Sequence, residues 1–429
     1  MPAVRLGVPR ERAEGENRVG LVPETVSRLA RAGFETLVES GAGRDYNPDS
    51  AYEEAGARIL ESREELYREA DAIIKVQRPD SEEISLMREG QLLVCFLNGP
   101  IYPELVRDLA GQGVTVFSLE AIPRISRAQA MDALSSMSSI AGYKCVLLGA
   151  NSLGKYLPMM TTAAGTTKAS KVLVLGAGVA GLQAIATAGR LGAEVTGFDI
   201  RPEVKEQVES LGARFLEPEE EREEPEEKEY EEYEPKGFAR LMVALGFNSF
   251  AEPPEEKNGR NGSSASAEAE AMKKTGGYAT LQPEEKQKQD RELIRNELKE
   301  TDLVITTAQI PGRRAPILLT REMVEGMKPG SVVVDLAAES GGNCELTEAG
   351  RTVEHDMVRV LGPVNIPAMM PIHASQLYSR NMENILKHLA PEGELELDFD
   401  DEITAGACIA HAGEVRHGPT REALEKEGS

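Results

Sequence analysis

Between residues 4 and 120, short apolar runs rich in β-branched side chains alternate with amphipathic stretches. The runs at 4–8, 36–39, 72–76, 92–97 and 114–119 read as strands, with helices between them at 23–32, 64–70 and 102–111. Strands that are apolar throughout, separated by helical spacers, indicate a parallel sheet covered on both faces. A long helix is predicted over roughly 127–149, and then the pattern restarts. The new strands are 171–175, 194–199, 213–216, 302–307, 331–336 and 358–361. The chain therefore reads as α/β, with two Rossmann-like doubly wound parallel-sheet domains flanking a cleft. The first domain is expected to take residues 1–135 and to be completed by 372–429, where 373–389 reads as a returning helix. The second takes 136–371.

One region breaks the alternation. Residues 217–235 hold 12 Glu against one Arg and one Lys, and a Gly/Ser/Ala/Asn-rich stretch follows at 258–271. Such segments bury too little apolar surface to offset their chain entropy, so 217–275 reads as an acidic insertion in the second domain. A solvated run is the plain reading of the glutamates; tuning of a partner's association is the other. The insertion accounts for much of the net charge of −24, which otherwise points to solubility rather than to a class of partner. With 4% aromatic residues and no basic region, the footprint of a nucleic-acid binder is missing. Cys95, Cys145, Cys344 and Cys408 lie far apart, which fits neither a zinc site nor a disulfide framework and suggests a reducing, cytoplasmic setting. No secretory signal is read at the start, and the uncharged stretch 172–189 carries four glycines, so it reads as a strand and turn rather than as a membrane span.

That stretch holds the strongest chemical signal. Strand 171–175 runs into Gly176-Ala-Gly178-Val179-Ala180-Gly181, an Ala/Leu-rich helix follows, and the next strand ends on Asp199. Gly176 permits the tight turn, Gly178 lets the backbone approach a pyrophosphate, and Gly181 allows close helix–strand packing. The helix start at Val179 and Ala180 offers N–H donors to the anion. Asp199, 18 residues after Gly181, is placed to accept from both ribose hydroxyls. A 2′-phosphate would meet its charge, which predicts NAD(H) over NADP(H), slightly weakened by Arg201. A second glycine motif, Gly149 to Lys155, fits a phosphate-binding loop except that Tyr156 replaces the magnesium-binding Ser/Thr, so it reads as a helix end.

With these residues in view, the chain resembles the alanine dehydrogenase/transhydrogenase superfamily. The likeness rests on Arg10-Glu-Arg with Glu16-Asn-Arg-Val19, Val38-Glu-Ser-Gly-Ala-Gly43, Lys75-Val-Gln-Arg-Pro79 and Pro123-Arg-Ile-Ser-Arg-Ala-Gln-Ala-Met-Asp132 with Leu134-Ser-Ser136. It extends through Gly176–Gly181, Gly276-Gly-Tyr-Ala279, Thr306-Thr-Ala-Gln-Ile-Pro-Gly312 and Asp335-Leu-Ala-Ala-Glu-Ser-Gly-Gly-Asn343, leaving out about 218–274. Within the superfamily these blocks are similar to the NAD(H)-binding components of proton-translocating transhydrogenases.

The resemblance implies direct hydride transfer, NADH + NADP⁺ to NAD⁺ + NADPH. NADP(H) would be bound by a partner subunit, and proton movement would pass through membrane-spanning partners. It implies a homodimer, peripheral to the inner membrane. It places Arg124, Gln129, Asp132 and Ser135 beside the dihydronicotinamide, although Ser126 and Gln129 also fit a plain capping box. Gly176, Gly178, Val179, Ala180, Gly181, Asp199, Ile200, Arg201, Thr307 and Ala308 would hold the nucleotide, with Tyr278 on a loop that closes over it. No metal is implied. The alternative is an alanine dehydrogenase-like enzyme, in which Lys75 and Arg18 would bind a substrate carboxylate. The dehydrogenases place a general acid/base His after the strand matching 92–97, whereas here Asn98-Gly-Pro-Ile-Tyr102 follows and all five histidines lie in the last 75 residues. Losing such a group costs about 10²–10⁴ in rate. Direct hydride transfer needs none. A nucleotide-binding protein without activity is the third reading.

Overall fold

A computed structural model describes residues 4–44, 46–218, 284–309, 314–391 and 394–427. Within residues 1–216 and 281–429, which pack as one unit, the chain builds two large sheets. The first begins with β1 (Arg5–Val8), β2 (Glu35–Glu39), β3 (Arg58–Leu60), β4 (Ala72–Ile74), β5 (Leu92–Cys95) and β6 (Thr115–Ser118), all parallel. A small hairpin, β7 (Met160–Thr162) and β8 (Gly165–Thr167), follows. The second sheet comprises β9 (Lys171–Leu175), β10 (Glu194–Phe198), β11 (Arg214–Phe215), β12 (Leu303–Thr306), β13 (Val332–Asp335), β14 (Thr352–His355) and β15 (Val358–Leu361). The chain then returns to the first sheet with β16 (Cys408–His411) and β17 (Glu414–Val415). The orders are β17-β16-β6-β5-β4-β1-β2-β3 and β11-β10-β9-β12-β13-β15-β14.

Both sheets have the doubly wound order 3-2-1-4-5 at their centres, so each reverses winding beside its first strand. The apolar strands are explained by burial on two faces. Leu6, Val38, Ile74 and Val94 belong to one core while Leu37, Ile73, Leu93 and Val116 belong to the core on the opposite face. Val172, Val174 and Ile305 face away from Leu173, Leu175 and Val304 in the same way. The edges depart from the parallel expectation: β14, β16 and β17 are antiparallel. Each closes an edge by a short connection that needs no crossover helix.

Two helices tie the sheets together. The return helix, Pro371–Leu389, seats Ala374, Tyr378, Met382, Ile385 and Leu386 in the same core as Leu6 and Val38. The bridging helix, Ala133–Ser152, is shared between sheets: Ala133, Met137 and Ile140 belong to the first core, Ala141, Cys145 and Val146 to the second. The helix predicted from residue 127 is therefore corrected. Residues Ser126–Met131 form a 3-10 turn, and the α-helix starts only after Asp132, whose φ/ψ of −72°/81° breaks the winding. The capping role proposed for Ser126 and Gln129 also falls, because the 3-10 turn has no side-chain cap; Asp132 caps instead. The Gly149–Lys155 motif lies at the far end of the bridging helix, where Gly149 abuts Leu303 and Lys155 pairs with Asp302 at 2.6 Å.

At Gly142 the bridging helix meets the helix Val179–Arg190 backbone to backbone; a Cβ there would lie 2.1 Å from the carbonyl oxygen of Ala180. Neither main chain can yield without moving its sheet. Gly142→Ala is therefore expected to cost about 1–3 kcal/mol by overpacking, read as a lower urea midpoint with an unchanged slope.

Candidate functional site

The register of the second sheet builds one edge of the site. Leu175 of β9 pairs with Phe198 of β10 and with Thr306 of β12. The next residues, Gly176, Asp199 and Thr307, therefore stand abreast at the carboxyl ends of adjacent strands, about 4.8 Å apart from strand to strand. This is the switch point where open α/β sheets take ligands.

Each glycine of the motif has a physical reason. Gly176 has φ +99° and would push a Cβ to 2.6 Å from Thr307 Oγ1. Gly181 lies on the Gly176 carbonyl, 1.8 Å from a built Cβ, so only hydrogen lets the helix start this close to the strand. Gly178 is exposed and a Cβ there would meet nothing within 4 Å; what it leaves clear is the approach to the helix start. It is the N-cap of Val179–Arg190, and no side chain accepts the helix's first N–H groups. Val179 is exposed and Ala180 half-buried there. Open donors, a helix dipole and a stripped backbone together fit a pyrophosphate.

Asp199 is not the open acceptor its spacing suggested. Its Oδ2 accepts from the Ala177 N–H at 2.7 Å, and its Oδ1 accepts from the Arg201 N–H and Nε at 2.9 Å each. Arg201 Nη2 adds a bond to Oδ2 at 3.0 Å, and the bond to Asp199 raises the guanidinium pKa. Ile200 between them packs on the core of Leu173 and Phe198.

Thr307 and Ala308 are held by a network that no sequence signal had assigned. Thr307 Oγ1 donates to the Gly176 carbonyl at 3.0 Å. Asn343 clamps the backbone of Ala308, accepting from its N–H at 3.1 Å and donating to its carbonyl at 2.8 Å. Asn343 is fixed in turn by the fully buried Asp335, whose carboxylate accepts from Thr306 Oγ1, Thr347 Oγ1 and the N–H groups of Ala337, Asn343 and Cys344. The Asp335–Asn343 block was legible as a motif; its task of bracing the strand end was not.

The loop before the bridging helix forms a second element. Ala128 and Met131 are buried in the first core, and Asn381 of the return helix donates to the Ala130 carbonyl at 2.9 Å. Arg127 pairs with Asp401 at 2.7 Å. With the apolar positions anchored, Arg124 and Gln129 stay exposed. Asp132 and Ser135 hold each other: Ser135 N–H and Oγ donate to the two Asp132 oxygens at 2.8 and 2.6 Å. Gly142, packed on Ala180, lies two helical turns beyond Ser135, about 10 Å along the axis, and Ser139 Oγ donates to Gln183 at 3.3 Å. The bridging helix thus carries the loop and the glycine turn as one rigid body. Tyr278 lies outside the described residues, as do Ile310, Pro311 and Gly312.

A cavity of about 310 Å³ lies in the first sheet, lined by Glu11, Arg12, Lys75, Gln77, Arg78 and Glu83 among others. Lys75 is no solvated strand-end charge: it is 1% exposed, 2.7 Å from Glu83 and 3.3 Å from Glu11. Burial works against its charge, but the two carboxylates override it and raise its pKa; burial also raises that of Glu11. Arg78 stacks over Tyr102 at 3.9 Å. No histidine lines the cavity. Among the described residues, one metal-like cluster, Glu325, His355 and Asp356, sits at the β14–β15 edge, away from these strand ends.

Residues 7–141 match the model of the alanine dehydrogenase/PNT N-terminal domain and residues 145–418 that of its C-terminal domain. The chain belongs to this family. It is 42% identical over 413 residues to NAD(P) transhydrogenase subunit alpha of Haemophilus influenzae, covering 95% of this chain and 71% of the relative. It is 40% identical over 422 residues to the first portion of the split NAD(P) transhydrogenase subunit alpha of Rhodospirillum rubrum, covering 96% and 98%. The solved transhydrogenase of Sinorhizobium meliloti superposes with a TM-score of 0.76 at 38% identity, covering 96% and 99%. Alanine dehydrogenases are more distant, at 29% identity for that of Bacillus subtilis over 85% and 80%. The family implies NAD(H) binding, and the chain is a transhydrogenase-type oxidoreductase component. No described helix is long and apolar enough to cross a membrane.

Sequence reasoning also missed the clasp between the sheets. Glu16, fully buried, accepts from Arg18, Gln77 and Asn365. Arg18 donates to Asn365 at 2.9 Å, and Asn365 adopts φ +45°. Burial alone would raise the Glu16 pKa, but the bonds and charge of Arg18, with those from Gln77 and Asn365, bring it down to about 2. A carboxylate depressed in the folded state stabilises above its unfolded pKa near 4.5, and that support is lost as pH falls to about 2. The difference corresponds to about 3 kcal/mol. In urea titrations, Glu16→Gln is expected to flatten the fall in stability between pH 4.5 and 2, while lowering stability at pH 7.

Proposed function

We propose that this chain is the NAD(H)-binding subunit of a proton-translocating NAD(P) transhydrogenase. The observation that carries the reading is the shared mounting of two surfaces. The Gly176–Gly181 turn and the 124–135 loop sit on one helix contact, at Gly142 and Ala180. When bound, the dinucleotide supplies the hydride. The chain's own residues orient it. The open helix start takes the pyrophosphate, Asp199 the ribose, and the Thr307–Ala308 backbone the nicotinamide end. Gln129, exposed beside the anchored Ala128, hydrogen-bonds the carboxamide. Asp132 and Ser135, already bonded to each other, fix the loop's exit, and Arg124 flanks it. Hydride transfer between two nicotinamides requires close approach and exclusion of water, not a proton donor. NADP(H) is bound by a partner subunit, and proton movement passes through membrane-spanning partners, which places this chain on the cytoplasmic face.

Alanine dehydrogenation, by contrast, needs a group that moves protons at an imine centre. The Lys75 cavity, with Lys75 bracketed by Glu11 and Glu83 and no histidine on its wall, supports the transhydrogenase reading instead. With membrane partners added, the purified chain is expected to pass hydride from NADH to an NADP⁺ analogue. Gln129→Ala should lower that rate by about 10-fold or more while changing NADH affinity by much less. Turnover with NADH, pyruvate and ammonia alone would reject the proposal.

The subunit acts as a homodimer. Every residue of β7 and β8 is exposed, and a lone two-stranded hairpin is marginal in water. Tyr156, Met159 and Met160 flank it at 61%, 64% and 39% exposure, a cover-seeking apolar surface. Light scattering should give a dimer for the natural chain and a monomer for the double variant Met159→Asp/Met160→Asp.

A further inference from the structure

We propose that Arg201 is a concealed 2′-phosphate receptor, and that the pocket's preference for an unphosphorylated ribose depends on Asp199 keeping it concealed. The inference rests on the reading that the Gly176–Gly181 turn holds NAD(H).

The simple account of NAD(H) preference invokes a bare carboxylate repelling a phosphate. The structure does not present one. A carboxylate offers about four acceptor positions, and Asp199 has four bonds: from Ala177 N–H, Arg201 N–H, Arg201 Nε and Arg201 Nη2. The side chains of Asp199 and Arg201 are 6% and 21% exposed, so the pair is poorly screened and its charges largely cancel. An approaching 2′-phosphate would meet a neutral pair, and one half of that pair is the side chain best suited to bind it. The guanidinium's Nε and Nη2 already form a two-pronged fork on a carboxylate, the geometry that equally matches phosphate. Arg201 also competes with ribose hydroxyls for Asp199. The two residues thus set nucleotide choice jointly. Asp199 excludes the phosphate mainly by occupying Arg201, and Arg201 weakens the charge that would otherwise exclude it.

The opposing signs of these two effects make the idea testable by direct binding, using the intrinsic fluorescence of NADH and NADPH with the full chain. Asp199→Asn keeps the side chain's size but cannot hold the guanidinium through two anionic oxygens. It is expected to weaken NADH and to tighten NADPH by about tenfold or more, the scale of one or two charge-assisted hydrogen bonds. The double variant Asp199→Asn/Arg201→Gln should return NADPH binding to its natural weakness. Arg201→Gln alone leaves Asp199 in place and unmasked, so it should widen the NADH-over-NADPH ratio. That variant tests the idea even where Asp199→Asn folds poorly. A gain in NADPH binding that persists in the double variant overturns the proposal, as does an unchanged or narrowed ratio in Arg201→Gln. A natural chain that binds no NADH would reject the parent reading instead.

Discussion

The contact on which the arrangement depends is that of Gly142 against Ala180. There two helices meet main chain to main chain, and a built Cβ would lie 2.1 Å from a carbonyl oxygen. A contact of that kind has no side chain to adjust, so the helices' separation is set by van der Waals radii rather than by rotamers. One helix begins at the glycine turn; the other begins at Asp132, directly after the 124–131 loop. Two segments distant in sequence become a single rigid body, which is what positioning chemistry requires.

Around this body the polar groups brace backbone rather than meet one another across an open site. Asp335 turns its carboxylate onto donors from five residues and fixes Asn343; Asn343 fixes Ala308; Thr307 reaches across to Gly176. A buried charge is tolerable only with this degree of satisfaction. The same logic governs Glu16, where Arg18 and Asn365 join the first sheet's loop to the turn after β15. Charge is used here as structure, leaving the exposed Arg124 and Gln129 as the adaptable groups.

What the sequence revealed follows from which interactions are local. The central strands were legible because burial on two faces leaves continuous apolar runs, and the glycine turn because each glycine answers a backbone requirement. The strands Arg58–Leu60, Thr352–His355 and Cys408–His411 were not, being three or four residues long and defined by partners far away in the chain. The break at Asp132 was hidden because Ser126 to Met131 has a composition suited to a helix start, and only the packing of Ala128 and Met131 decides otherwise. Asp199 was found, but its partnership with Arg201 needed coordinates. A separation of two residues does not specify whether side chains turn toward each other.

The distribution of titratable groups bears on the reaction class independently of family likeness. Lys75, Glu11 and Glu83 concentrate proton-binding capacity in the first sheet, buried and mutually paired. The strand ends at Gly176 and Thr307 hold glycine, threonine, alanine and an asparagine, with Asp199 committed to Arg201. A site that must add or remove a proton each turnover places a titratable group at the reacting atoms. A site that moves a hydride between two carriers is better served by groups that do not titrate near neutrality, because their geometry and charge stay constant. The second-sheet edge has that composition, and this separation of rigid, proton-inert positioning from proton-binding residues is the physical basis for reading the chain as a transhydrogenase component.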